Sequence, residues 1–240
     1  MTYFTENDPQ TATLQIKGPC NYLCWYCVGE KKTMAHPVPV MHDLQKLMQI
    51  YVSLQRRGAV GTTMYANGTE PALHPQIQQI VELCTAFGSI EILTNLSIPV
   101  SEWLPGPANC FLQATIHPEA EQDIDGFLDR VQEAQDLGYT LRIQFDSTRI
   151  EATDYRERLA ILGIKLKPLK LRMPGSEFQR PDSIPCPAEA LCMSGYDTVF
   201  ITSTTVLCRC NRNIVPLHKP LSAPTSCTHS ATCPVRRAPK

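Results

Sequence analysis

No stretch of the chain approaches the ~18 consecutive apolar residues that a membrane-crossing helix needs. Its opening, MTYFTENDPQ, is polar and acidic and lacks the apolar centre of a secretion signal. Charge of one sign is also scarce. The 22 Lys and Arg stand against 23 Asp and Glu, a formal net charge of −1 that gives no long-range field toward nucleic acid or a membrane surface. The one local basic run, Arg236, Arg237 and Lys240, reads as a solvated terminus. Internal repeats and low-complexity segments are missing too. These absences point to the cytoplasm, and away from membrane and nucleic-acid partners.

What is present is a chain long enough, at 240 residues, for one domain with a small appendage. An apolar fraction of 43% suffices for a buried core. Against this ordinary background stand 11 cysteines. A reducing compartment disfavours disulfides, so clustered thiols there read as metal ligands or catalysts. Three lie between 20 and 27 and six beyond 185, and the isolated pair, Cys84 and Cys110, reads as small buried hydrophobes.

Short β-rich runs alternate with amphipathic stretches through the first 170 or so residues. Strands are expected at 13–17, 62–66, 90–94, 111–116, 140–145 and 166–171, and helices at 41–57, 74–87, 120–137 and 153–162. The first helix sets Leu44, Leu47, Met48 and Tyr51 on one face, and the second Ile77, Ile80, Val81 and Cys84. Gly58, Gly88, Gly138 and Gly163 follow the four helices, where a left-handed C-terminal cap belongs. Strand–helix alternation implies a parallel sheet with right-handed crossovers. Six strands are too few for a closed eight-stranded barrel, so the expected fold is α/β, an open sheet or partial (βα)6 barrel. The proline-rich link at 97–109 has room for a short helix. From 173 the chain is rich in proline and cysteine, with one hairpin-like segment, Thr198–Ile201 against 205–207. Domains 1–172 and 173–240 follow, the second small enough to need a metal.

The run Cys20-Asn-Tyr-Leu-Cys24-Trp-Tyr-Cys27 comes directly after the first strand. Three thiolates on one loop can hold three irons of a cubane and leave the fourth open to substrate, whereas an electron-transfer cluster normally has four cysteines. Zinc is the alternative, although its ligands usually come as short pairs, unlike this spacing of three then two. The place is also apt, because loops after strands form the active face of α/β barrels.

The run Cys-x3-Cys-x-aromatic-Cys, with Tyr26 at the aromatic position, resembles the radical SAM superfamily. So does the βα alternation over 12–172. A second run, Asn67-Gly68-Thr69-Glu70-Pro71, resembles that family's Gly-Gly-Glu-Pro, departing from it at Asn67 and Thr69. The resemblance implies a SAM-binding 4Fe–4S cluster on Cys20, Cys24 and Cys27. It also implies that Gly68, Thr69 and Glu70 meet the amino group of S-adenosylmethionine, for which a carboxylate beside exposed backbone is apt. It further suggests SAM contacts from Asn95, Thr115, His117, Arg142 and Gln144 at strand ends. For each, the alternative is a satisfied polar group, and His117 could instead orient substrate or cap the turn at Pro118.

The tail cysteines, Cys186, Cys192, Cys208, Cys210, Cys227 and Cys233, resemble the family's SPASM and twitch auxiliary domains, with Ser203 where a glycine would stand. One auxiliary cluster on Cys192, Cys208, Cys227 and Cys233 is expected, or a structural zinc in the same thiolates. Either would tie a core-poor segment together. Cys186 and Cys210 are left over.

The activity so implied is reductive cleavage of SAM to a 5′-deoxyadenosyl radical that abstracts hydrogen from substrate. Flavodoxin or ferredoxin would be the electron donor. Relatives with auxiliary clusters often modify ribosomally made peptides, the first expectation here. A small-molecule or nucleoside substrate, or activation of a glycyl-radical enzyme, is the alternative. With the first strand near residue 12, no peptide-recognition domain is expected ahead of the core.

Overall fold

A computed structural model describes residues 11–22, 24, 38–56, 61–65, 69–117, 123–146, 153–164, 166–169, 191–192, 198–205, 207–210, 213–214 and 225–226. Six parallel strands lie in chain order: β1 Thr11–Gln15, β2 Gly61–Tyr65, β3 Ser89–Thr94, β4 Cys110–Ile116, β5 Thr140–Asp146 and β6 Leu166–Leu169. Between them run the helices α1 Leu44–Gln55, α2 Ile77–Phe87, α3 Ile124–Asp136 and α4 Thr153–Ile161. The link between β3 and β4 holds one short 3-10 turn, Val100–Glu102. The α/β partial barrel expected from the alternation is therefore present.

The sheet does not stop at β1. A short strand, β7 Leu191–Cys192, precedes β8 Thr198–Ile201, which lies parallel to β1 with Leu14 opposite Ile201. Antiparallel to β8 comes β9 Leu207–Cys210, and then β10 Asn213–Ile214, making nine strands in one sheet. The expected hairpin thus forms, but its second strand starts at Leu207 rather than at 205. Thr205 is in the turn, with φ at +57°, a conformation no strand residue can hold. A separate two-stranded ribbon pairs β7 with β11 Thr225–Ser226.

Local chemistry sets the helix ends. Asp43 caps α1 by accepting from Lys46 N (3.0 Å), and Asp123 caps α3 by accepting from Gly126 N (3.2 Å). Gly138 and Gly163 take left-handed φ values of +88° and +70°. The N–H groups of Tyr139 and Ile164 then close back on Ala134 O and Leu159 O, satisfying last-turn carbonyls. Gly88 departs from expectation: its φ of 163° is extended backbone. Gly58 lies outside the described residues.

The core lies between the sheet and α1–α3. Leu14, Met64, Ile92 and Leu112 meet Leu47, Leu54, Ile80 and Phe127 there, all essentially inaccessible. Each such side chain contributes roughly 1.5–3 kcal/mol by leaving water. The predicted face of α2 is buried as written, but that of α1 is rotated. Ile50 and Leu54 are buried with Leu47 and Tyr51, whereas Met48 is 47% exposed. Alternation along β3 and β4 leaves the other sheet face half-exposed at Glu91, Leu93, Gln113 and Thr115.

Candidate functional site

Parallel strands bring their carboxyl ends to one edge, where the following loops can converge. The loop after β1 is fastened there at several points. Lys17 O accepts from Val40 N at 3.0 Å and Pro19 O from Glu70 N at 2.9 Å. The Thr69 hydroxyl accepts from Gly18 N (2.9 Å) and donates to Gly18 O (3.0 Å). Thr69, expected at SAM, therefore serves to fix the base of the cysteine loop in this structure.

Glu70 is 2% exposed. Its Oε1 accepts from the Thr94 hydroxyl (2.6 Å) and Ala72 N (3.3 Å), and its Oε2 from Asn95 N (2.7 Å). Burial pushes its pKa up to about 7, opposed by those three hydrogen bonds. Thr94 Oγ1 also accepts from Leu96 N (2.9 Å), and Leu96, fully buried, has a left-handed φ of +51°. The Arg130 guanidinium on α3 holds that turn, donating from Nε to Leu96 O at 2.7 Å.

Asn95 carries the network to the cysteines. Its Oδ1 accepts from Ser97 N (3.0 Å), so its Nδ2 is turned to Asn21 Oδ1 (3.0 Å) and to Cys20 Sγ (4.0 Å). Asn21 in turn donates to Ser97 Oγ at 2.8 Å. From the end of β4, His117 places Nδ1 3.4 Å from Cys24 Sγ, and its ring meets Tyr22 edge-on at 5.7 Å between centroids. The structure thus gathers Cys20, Cys24, Glu70, Asn95 and His117.

Thr115 and Gln144 are register partners on β4 and β5, one strand position short of this edge. Gln144 is 9% exposed, and its amide has no hydrogen-bond partner among the described residues. Arg142 lies one row lower, opposite Gln113, and pairs with Glu91 at 3.4 Å while remaining 55% exposed. The structure thus engages it with the sheet face, away from the cysteine loop's partners.

Tyr26, Cys27, Gly68, Cys186, Cys227 and Cys233 lie outside the described residues. Cys192 and Cys208 lie on β7 and β9, with only their backbone described. Among the described residues no three His, Cys, Asp or Glu side chains form a group able to hold a metal. Cys84 and Cys110 are buried with pKa values pushed up to about 12 by burial, as expected of inert core thiols.

Sequence reasoning missed a second polar cluster beside the first loop. Asp43 N donates to Thr205 Oγ1 (3.1 Å), that hydroxyl donates to His42 Nδ1 (3.1 Å), and His42 Nε2 donates to Gln15 O (3.2 Å). His74 donates from Nε2 to Val40 O (3.2 Å) and accepts Gln76 N at Nδ1 (3.2 Å). The Gln76 N–H at Nδ1 requires a neutral His74 ring. Burial lowers both pKa values, that of His42 to about 4 with the His74 ring adding to the effect.

No family model matches the chain, and no curated protein does. A solved structure does share its fold. The structure of anSMEcpe with bound AdoMet superposes with a TM-score of 0.53 at 13% identity, over 69% of this chain and 51% of that one. BtrN in complex with AdoMet and 2-DOIA gives 0.46 at 18% identity, over 84% and 73%. SuiB of Streptococcus suis, bound to S-adenosylmethionine, gives 0.42 at 13% identity, over 85% and 61%. The chain thus spans about half the length of anSMEcpe and about three-fifths of SuiB. The first of these likenesses establishes the fold. No described helix is long and apolar enough to cross a membrane.

Proposed function

We propose that this chain is a radical SAM enzyme whose 4Fe–4S cluster is held by Cys20, Cys24 and Cys27. The observation that carries the reading is the convergence on Asn95. Its backbone N–H is bound by Glu70 at 2.7 Å while its side chain reaches toward Cys20, so the two sequence motifs meet in one site.

The described residues fit such a group. Cys20 and Cys24, soft thiol ligands, lie on a loop at the carboxyl edge, with the Asn95 amide beside the first and the His117 imidazole beside the second. The Gln144 amide, which meets no partner among the described residues, costs roughly 1–3 kcal/mol until something polar meets it. When bound, the cluster and SAM together supply a radical able to take hydrogen from an unactivated carbon. The chain's own part is positioning. Thr69 fixes the backbone of Gly18 at the root of the cysteine loop. Burial raises the pKa of Glu70 to about 7, and a cationic amine beside it would favour the carboxylate. Gln144 and Thr115 offer neutral hydrogen bonds to the same ligand.

The segment 173–240 is read as an auxiliary unit holding a second cluster on Cys192, Cys208, Cys227 and Cys233. The pairing of β7 with β11 supports this. It sets Cys192 opposite Thr225, two residues before Cys227 in sequence. A ribosomally made peptide is the first choice of substrate, flavodoxin or ferredoxin the electron donor and the cytoplasm the location.

Anaerobic reconstitution should give about eight irons if two cubanes form. Four irons with zinc would overturn the auxiliary cluster. With SAM and dithionite the chain should release 5′-deoxyadenosine, and Cys24→Ala should not. Release by that variant would overturn the core reading. A short peptide gene beside this one would support the peptide substrate.

A further inference from the structure

His117 lies one residue beyond β4, and its Nδ1 is 3.4 Å from Cys24 Sγ. That is hydrogen-bond distance for sulfur, and the geometry is held from a second side. The edge-on contact with Tyr22, at an interplanar angle of 74°, fixes the plane of the imidazole. Cys24 itself is 8% exposed, so water is largely excluded and the contact is strengthened. Cys20 has a weaker counterpart in Asn95 Nδ2 at 4.0 Å, whose direction the Ser97 N–H to Oδ1 bond determines. Two loops, after β3 and after β4, therefore each direct a nitrogen at one thiol of the same motif.

We infer that His117 is a positioning residue that donates Nδ1–H to the Cys24 sulfur of the cluster and so raises the cluster's reduction potential, with Asn95 doing the same more weakly at Cys20. This rests on the proposed cluster assignment. A thiolate accepts but cannot donate, so the imidazole proton must be on Nδ1 in this pair. Hydrogen bonds draw charge from the thiolates. The reduced cluster carries one more negative charge than the oxidised one, gains more from them, and is easier to form. His117 is thereby a tuner of electron entry rather than a contact to SAM.

The test uses the full chain, reconstituted anaerobically and titrated without SAM, with the reduced cluster followed by electron paramagnetic resonance. His117→Leu keeps apolar bulk against Tyr22 but has no donor, and its midpoint should fall. A tenfold change in the reduction equilibrium corresponds to 59 mV for one electron. His117→Asn, whose amide reaches nearly as far as Nδ1, should return most of that loss. An unmoved midpoint in the Leu variant, or an equal fall in both variants, overturns the inference while leaving the cluster assignment intact. A wild-type chain that loads zinc or no metal overturns the assignment and the inference with it. Should the Leu variant not load, wild type with isotope-labelled histidine decides: pulsed resonance of the reduced cluster should show a histidine nitrogen coupling, and none overturns the inference.

Discussion

The hydroxyl of Thr205 lies 3.1 Å from Nδ1 of His42, joining residues 163 positions apart in the chain. Thr205 is fully buried and holds a left-handed φ of +57° to reach it. A β-branched residue in that region costs of order 1–3 kcal/mol. The bonds to His42 and Asp43 offset this strain, and they fasten the turn after β8 beside the end of β1. The cysteine-rich segment is thus anchored next to the loop that carries Cys20.

His42 and Glu70 oppose each other in their effect on stability with pH. The depressed pKa of His42, from 6.5 to about 4, means the unfolded chain takes up a proton that the fold refuses. Its contribution is present above pH 6.5 and is lost as pH falls toward 4. Glu70 is raised from 4.5 to about 7, so the fold keeps a proton that the unfolded chain releases. Its contribution is present below 4.5 and is lost as pH rises through 7. Each effect is roughly 3 kcal/mol at full extent, at 1.36 kcal/mol per pKa unit. Between pH 4.5 and 6.5 these two effects cancel in the wild type, whose urea unfolding should keep only the rise with pH that the lowered pKa of His74 adds. Relative to the wild type, His42→Gln should fall in stability with rising pH over that window and Glu70→Gln should rise. Parallel profiles for all three proteins would refute the assignment.

Arg130 should act on the site without touching it. Its Nε satisfies the carbonyl of Leu96, in a turn where Leu96 is fully buried and left-handed. Arg130→Met keeps the length of the side chain and orphans that carbonyl, a loss of about 1–3 kcal/mol. Arg130→Lys should recover part of it. Chemical denaturation measures both. Equal stability of the Met variant and wild type would mean that water replaces the guanidinium.

Cys84 and Cys110 should stay unmodified when the native chain is treated with iodoacetamide at pH 8. The Cys84 thiol donates to Tyr51 Oη at 3.3 Å, and burial pushes both thiols up to about 12, so almost no thiolate is present. Peptide mapping before and after unfolding checks this. Rapid labelling of either in the native state would contradict their place in the core.

Much of this architecture was legible because the relevant cues are local. Gly138 and Gly163 end their helices with positive φ, and β-rich runs between turn residues marked all six parallel strands to within two residues at either end, β1 being displaced toward the N-terminus by two. Legibility failed where distant packing decides. Met48 has the right period for the α1 face, yet the sheet lies under Ile50 and Leu54 instead. Gly88 needs no left-handed turn because β3 begins at once, at Ser89. In the site, Cys20 and Glu70 could be found because each sits in a short contiguous motif. His42 and Thr205 could not, since their meeting depends on β8 lying beside β1, and nothing near either residue encodes that pairing.

Gln144 separates a ligand contact from a structural one. Its amide is 9% exposed and meets no hydrogen-bond partner among the described residues, although its register partner Thr115 is beside it on β4. A buried amide left in this state weakens the fold by roughly 1–3 kcal/mol. A structural role would make Gln144→Leu destabilising. A ligand-binding role predicts the reverse: the apolar side chain of similar volume should raise stability by about 1 kcal/mol, by removing an unmet polar group. The same substitution should weaken SAM binding by about tenfold, the worth of one hydrogen bond of roughly 1.4 kcal/mol. Thermal unfolding and equilibrium dialysis, run on the one variant, read the two effects separately. Lower stability with unchanged SAM affinity would assign Gln144 to the scaffold and remove it from the site.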